Sequence, residues 1–190
     1  MSRGQLAILG MVGIALLAAG FGLWWRHVQT RRALEFWGPA AAGLIATADQ
    51  VEAMLVEPWA GPDVESTGRY QGLLLVDSQK YGILAAKDVT DARGFLNARH
   101  ALTLDKSFDW QADPTRCQPT WRHAIRFSSP ANQVTILLDL SCELVRRSDA
   151  ERTAGIGPIA AGLQAVLNEQ LSISSGGEDD SARDDSARKE

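Results

Sequence analysis

The sequence predicts an α+β domain, with an antiparallel sheet of about four to five strands and helices on one face, preceded by one N-terminal transmembrane helix. Three observations predict it. An uncharged run extends from Leu6 to Trp25. Two segments, 70–89 and 121–145, each carry a pair of apolar or alternating stretches around a short polar break, the signature of a β-hairpin. After Gly157-Pro158, Ile159, Ala160, Leu163, Val166 and Leu167 recur at helical spacing. The expected order behind the anchor is α-β-β-β-α-β-β-α.

Residues 1–25 form the expected anchor, with the uncharged run 6–25 as its span. At the helical rise, a run of that length spans about 30 Å, the thickness of a hydrocarbon core. Trp24 and Trp25 close the run and Arg26 follows, a pattern that suits the membrane–water interface. Ala18 and Gly20 keep a cleavable signal peptide as the competing reading. A single Arg3 ahead of the run, and the run's length, favour an uncleaved anchor. No cysteine follows it, so a lipobox is excluded. Ala15/Ala19 and Ala18/Gly22 have the small-xxx-small spacing that admits weak self-association through the helix. Arg26, Arg31 and Arg32 after the span, against Arg3 before it, favour a cytoplasmic body. The short leader and the cysteines favour an exported one, and the body is expected on the non-cytoplasmic side of the cell membrane.

Residues 26–37 read as a polar stalk and 38–175 as the globular domain. Gly38-Pro39 opens a short Ala-rich helix. Residues 50–56 partly alternate and read as a strand, and Pro58, Gly61, Pro62 and Gly68 mark a loop. Residues 70–76 and 81–89 form the first hairpin around Asp77–Lys80. Thr90 is the expected N-cap of a helix from Asp91 to about Leu104, with Ala92, Phe95, Leu96 and Leu102 near one face. Phe108 and Trp110 follow in a turn that anchors to the core. In 121–127, Trp121, His123, Ile125 and Phe127 share one phase, so they line one face of a half-buried strand. Residues 134–145 supply its partner, with Val134, Ile136, Leu138, Leu140 and Cys142 on the apolar face.

Residues 176–190 contain DDSAR twice and no large apolar side chain, so a disordered, solvated tail is expected. The 190 residues carry a net charge of −4. By segment, residues 1–37 carry +3, the body −4 and the tail −3. An acidic body has no field for nucleic acid.

Cys117 and Cys142 are the candidate chemical pair. If Ile125 pairs with Val134, they lie directly opposite each other, close enough for a disulfide; a register shift of two residues makes bridging harder. Two buried thiols, or a metal or redox role, are the alternatives. A zinc set of Cys117, His123, Cys142 and His100 lacks the short ligand spacings such sites use. Asp88 and Asp91 flank a helix start, where capping alone accounts for them. Asp105, Asp109 and Asp113 lack the spacing of a calcium loop. Arg122 and Arg126, on the polar face, are expected to pair with Asp139 and Glu143 across the hairpin; a small anion-binding patch with Arg116 is the alternative. No GxGxxG, P-loop, GxSxG or HExxH occurs, which weighs against an enzyme; no catalytic residue, metal ligand or cofactor is assigned.

CQPTWRHAIRF (117–127) and VTILLDLSC (134–142), with RHALTLDKSFDW (99–110) in support, resemble a group of small exported or membrane-anchored bacterial domains of uncharacterised activity. They share a Cys-x-Pro strand and a second strand that ends in Cys. That group often carries a Cys-Phe-x-Cys doublet there, whereas this chain has Asp139-Leu140-Ser141-Cys142. The resemblance implies an anchored domain and no active site. The reading is a single-pass membrane protein with a structural or binding role at the cell envelope, its partners being the bilayer through residues 6–25 and an unidentified protein. The alternative is an envelope enzyme or metal/redox module centred on Cys117, His123 and Cys142.

Overall fold

The structure is a computed structural model that describes residues 3–61, 68–76 and 78–172. It begins with helix α1, Arg3–Trp37. Met11, Ile14, Leu17, Phe21 and Leu23 are all exposed on it. The helix has little amphipathic character, and over Met11–Trp37 it is long and apolar enough to cross a membrane, at mean hydropathy 1.3. Its last turns are different. Ala33, Phe36 and Trp37 are buried in the main core, so residues assigned to the stalk by sequence belong to the domain's packing. A stripe of three apolar side chains among Arg31, Arg32 and Glu35 reads as polar until the surface it meets is known.

Gly38 reverses the chain in the left-handed region, at φ 78°, where a Cβ is disfavoured. Its N–H donates to the Leu34 carbonyl at 2.9 Å. Pro39 then takes the first helical position of α2, Pro39–Thr47, which packs against the end of α1.

Among the described residues seven antiparallel strands follow: β1 Gln50–Pro58, β2 Gly72–Val76, β3 Gln79–Asp88, β4 His123–Ser128, β5 Gln133–Asp139, β6 Leu144–Arg147 and β7 Thr153–Gly155. Their order across the sheet is β2-β3-β1-β4-β5-β6-β7. Between β3 and β4 lies helix α3, Phe95–Ala101, and after β7 comes α4, Gly157–Ser172. The α+β class is as predicted, but the sheet is larger than the expected four to five strands. Residues 134–145 are two strands, since the chain turns between Asp139 and Leu144, with Glu143 at φ 54°. Leu144–Arg147 and Thr153–Gly155 are too short and polar to show a period of their own.

The predicted helix over 91–104 shrinks to α3. Gly94, at φ 84°, starts it, and Thr90 is not its cap. The Thr90 hydroxyl instead accepts the Val51 N–H at 2.9 Å and ties the end of β3 to β1. Leu96, expected on the apolar face, is exposed. The first hairpin is tighter than expected, because β3 resumes at Gln79.

The four helices of the described residues contribute to one apolar cluster, on one face of the sheet, with Val51, Ala53, Ile125, Phe127, Ile136 and Leu138 beneath them. The other face holds a second cluster that includes Met54, Val56, Tyr81, Ile83, Trp121 and Leu137. Among the described residues no helix covers it, and the sheet curls around it. A bulge contributes: Leu55 pairs with Ala85 and Val56 with Ile83, which leaves Leu84 as an extra residue in β3. Trp121 lies in this second cluster, and β4 begins only at His123, so the predicted phase of Trp121 with Ile125 and Phe127 does not hold. The tail, 176–190, and positions 62–67 of the expected loop lie outside the described residues.

Candidate functional site

The features of interest lie at two places: a corner of the sheet that holds the cysteines, and the junction between α1 and the domain.

At the corner, Cys117 and Cys142 form a disulfide with Cα atoms 5.8 Å apart. The route to it differs from the expected one. The β4–β5 register pairs Phe127 with Val134 and Ile125 with Ile136, two residues from the predicted alignment. A ladder extended in that register would not place the cysteines opposite each other. The bridge forms because neither cysteine is in a strand. Cys117 follows the 3-10 turn Pro114–Arg116, and Cys142 lies in the β5–β6 turn.

Asp139 organises the same corner. Its side chain is buried, and Oδ2 accepts the Thr120 N–H at 2.6 Å. Oδ1 accepts the Ser141 N–H at 2.9 Å, the Ser141 hydroxyl at 2.6 Å and the Cys142 N–H at 2.9 Å. One carboxylate therefore grips both segments that the disulfide joins. Burial works to raise its pKa; the bonds from Ser141, Cys142 and Thr120 outweigh burial and hold it below the ordinary carboxylate value. The expected pairing of Asp139 and Glu143 with Arg122 and Arg126 is not formed. Arg126 stands opposite Glu52 on β1 and bonds it at 2.9 Å, while its β5 neighbour is Thr135. Arg122 is exposed, and Arg116 lies 3.8 Å from Asp113. Glu143 reaches the start of α4, where a Cβ on Gly157 would fall 2.8 Å from its Oε2.

His123 opens β4 beside the corner, opposite Leu138. Burial lowers its pKa; Asp139 acts against that shift and Arg122 adds to it, so the ring is neutral at pH 7. Its Nδ1 is buried and has no hydrogen-bond partner among the described residues. His100 is exposed on α3. Among the described residues no three His, Cys, Asp or Glu side chains are placed to hold a metal ion.

Most of the singled-out aspartates serve local turns. Asp88-x-Thr90, Asp113-x-Thr115 and Asp139-x-Ser141 repeat one device, in which the carboxylate accepts both the N–H and the hydroxyl of the residue two positions on. This Asp-x-Ser/Thr signature is legible in the sequence. A fourth instance, Asp105-Lys106-Ser107, behaves otherwise.

At the junction, the Trp37 indole donates to the Leu102 carbonyl at 2.7 Å, and its ring meets Phe36 and Phe108 at centroid separations of 4.5 and 6.0 Å. Trp110 stacks on Phe108 and donates to the Asp105 carbonyl at 3.0 Å. The expected anchoring of Phe108 and Trp110 is thus seen, and its target is the end of α1. Arg99, which sequence reasoning missed, is buried and donates to the Ile45 and Ala48 carbonyls at the C-terminus of α2, at 3.0 and 3.1 Å. Trp24 and Trp25, the expected interface residues, are exposed far along α1, each beside Phe21. Arg26 continues the helix, and its side chain lies outside the described residues.

Open grooves on the helix side include one of about 530 Å³ between α2 and the start of β5 and one of about 380 Å³ between α3 and α4. Arg147 and Asp149, which line the first, are paired with each other. No protein-family model, curated protein or solved structure matches the chain.

Proposed function

We propose that this chain is a single-pass membrane protein that holds an α+β domain against the non-cytoplasmic face of the cell membrane, in a structural or binding role at the envelope. The observation that carries the proposal is α1 itself. One helix runs from the exposed apolar stretch around Leu17 to Trp37, which is fully buried in the domain core. A helix apolar on all sides and uncovered by protein is suited to lipid. From Trp25 to Ala33 the helical rise gives about 12 Å, little more than the interfacial layer of a bilayer. The domain therefore rests close to the membrane surface with no linker between. The disulfide favours an oxidising compartment. Contact of two copies through Ala15, Ala18, Ala19 and Gly22 is a subordinate part of the proposal.

Reporters that work on opposite membrane faces, fused in turn to the C-terminus of the full chain, test it. Activity only from the non-cytoplasmic reporter is expected; activity only from the cytoplasmic one overturns the orientation. Release of the protein by alkaline extraction of membranes would overturn the anchor. The metal form of the alternative at Cys117, His123 and Cys142 requires free sulfurs, and here they are bonded to each other. Stoichiometric metal in the purified protein would reinstate it.

A further inference from the structure

Residues 31–37 are held as a helix in their own right. In a continuous α-helix each N–H donates to the carbonyl four residues earlier, so those of Arg32 and Ala33 belong to Val28 and Gln29. Both also meet one carboxylate from outside the helix. The Arg32 N–H donates to Asp105 Oδ2 at 3.1 Å and the Ala33 N–H to Asp105 Oδ1 at 2.7 Å. Two successive N–H groups aimed at a single acidic side chain are the geometry of a helix N-terminus. A helix interior does not present its N–H groups to an outside partner unless the turn before them is displaced.

The far end of the segment matches. Arg147 donates to the Trp37 carbonyl at 2.7 Å and Arg152 to the Glu35 carbonyl at 3.3 Å. A carboxylate at one end and two guanidinium groups at the other complement the dipole of a short helix that spans only these two turns. Asp105 also differs from its sequence counterparts. Asp88, Asp113 and Asp139 turn their carboxylates onto the Ser or Thr two residues on, but both oxygens of Asp105 leave their own loop for α1.

We infer that α1 is mechanically two helices, an apolar one ending near Thr30 and a domain-owned one over residues 31–37, and that Asp105 fixes the angle of the joint between them. The carboxylate competes for two N–H groups of the ladder. It thereby sets how the domain is tilted relative to the apolar helix. Without it, these N–H groups either bond only to Val28 and Gln29, which straightens the helix, or are left to solvent, which frees the joint. The joint does not depend on which side of a membrane the domain occupies, so its test and the topology test fail separately.

The full chain in detergent micelles, spin-labelled at Leu17→Cys and Leu96→Cys with the native disulfide intact, gives the distance between the apolar helix and the domain. Both positions are exposed. A single narrow distance distribution is expected, and a shifted or broadened one with Asp105→Ala. Asp105→Asn retains the shape but only one acceptor oxygen, so it is expected to broaden the distribution and decides the matter if the alanine variant does not fold. An unchanged distribution in a folded Asp105 variant, or a broad one in the parent, overturns the inference.

Discussion

The α1 junction and the disulfide corner each use one aspartate to bind main-chain N–H groups, and they are reinforced by different means. At the junction, Phe36, Trp37, Phe108 and Trp110 pack ring to ring. At the corner, residues 117–122 contribute one large apolar side chain, Trp121, and a covalent bond joins the chain there. Large aromatic area fixes a segment through burial, which acts on the folded state. A segment without that area is held by a cross-link, which acts mainly by restricting the unfolded chain.

The largest effect should come from the junction. Trp37→Ala removes a fully buried indole and its bond to Leu102, and a loss of about 3–5 kcal/mol in denaturant unfolding is expected. Opening the bridge with Cys117→Ser and Cys142→Ser together should cost about 2–4 kcal/mol by the same measurement. If the cysteine variant proves the less stable of the two, the ranking of burial above cross-linking fails.

Asp139→Ala should follow, at about 1–3 kcal/mol, because it leaves the N–H groups of Thr120, Ser141 and Cys142 without their acceptor. Its acid dependence has a definite sign. The folded pKa lies below the unfolded one, so the contribution is full above the unfolded value and is lost as the pH falls through the folded one. Unfolding free energies measured downward from about pH 4 should therefore fall more steeply in the parent than in Asp139→Asn. Parallel curves would remove Asp139 from the acid response. The smallest effect belongs to Glu52→Gln, which breaks the partly exposed pair with Arg126. A double-mutant cycle with Arg126→Ala should give a coupling below about 1 kcal/mol.

The two regions were legible to different degrees. The apolar run from Leu6 to Trp25 and the helical stripe after Pro158 show in sequence because a local period or length carries them. The pairing of Cys117 with Cys142 was also reached, though through a register that the sheet does not use. The β4–β5 turn sets that register, and the bridge depends on where the strands end. The role of Phe36 and Trp37 was hidden, since a two-turn stripe cannot establish a period. Arg126 was matched to the wrong neighbour because β1, its other partner, comes some seventy residues earlier in the chain.

Composition and spacing were enough for the α+β class, the long apolar helix and the two cysteines available to bond. These depend on composition, spacing and contacts within a few residues. Only the tertiary structure decided that the sheet has seven strands and curls over a second apolar cluster, that α1 ends inside the core, and that Asp105 faces Arg32 and Ala33 rather than its own Ser107. An aspartate accepts whichever N–H groups the fold presents to it. Its partner across seventy residues is set by packing, and no local pattern records it.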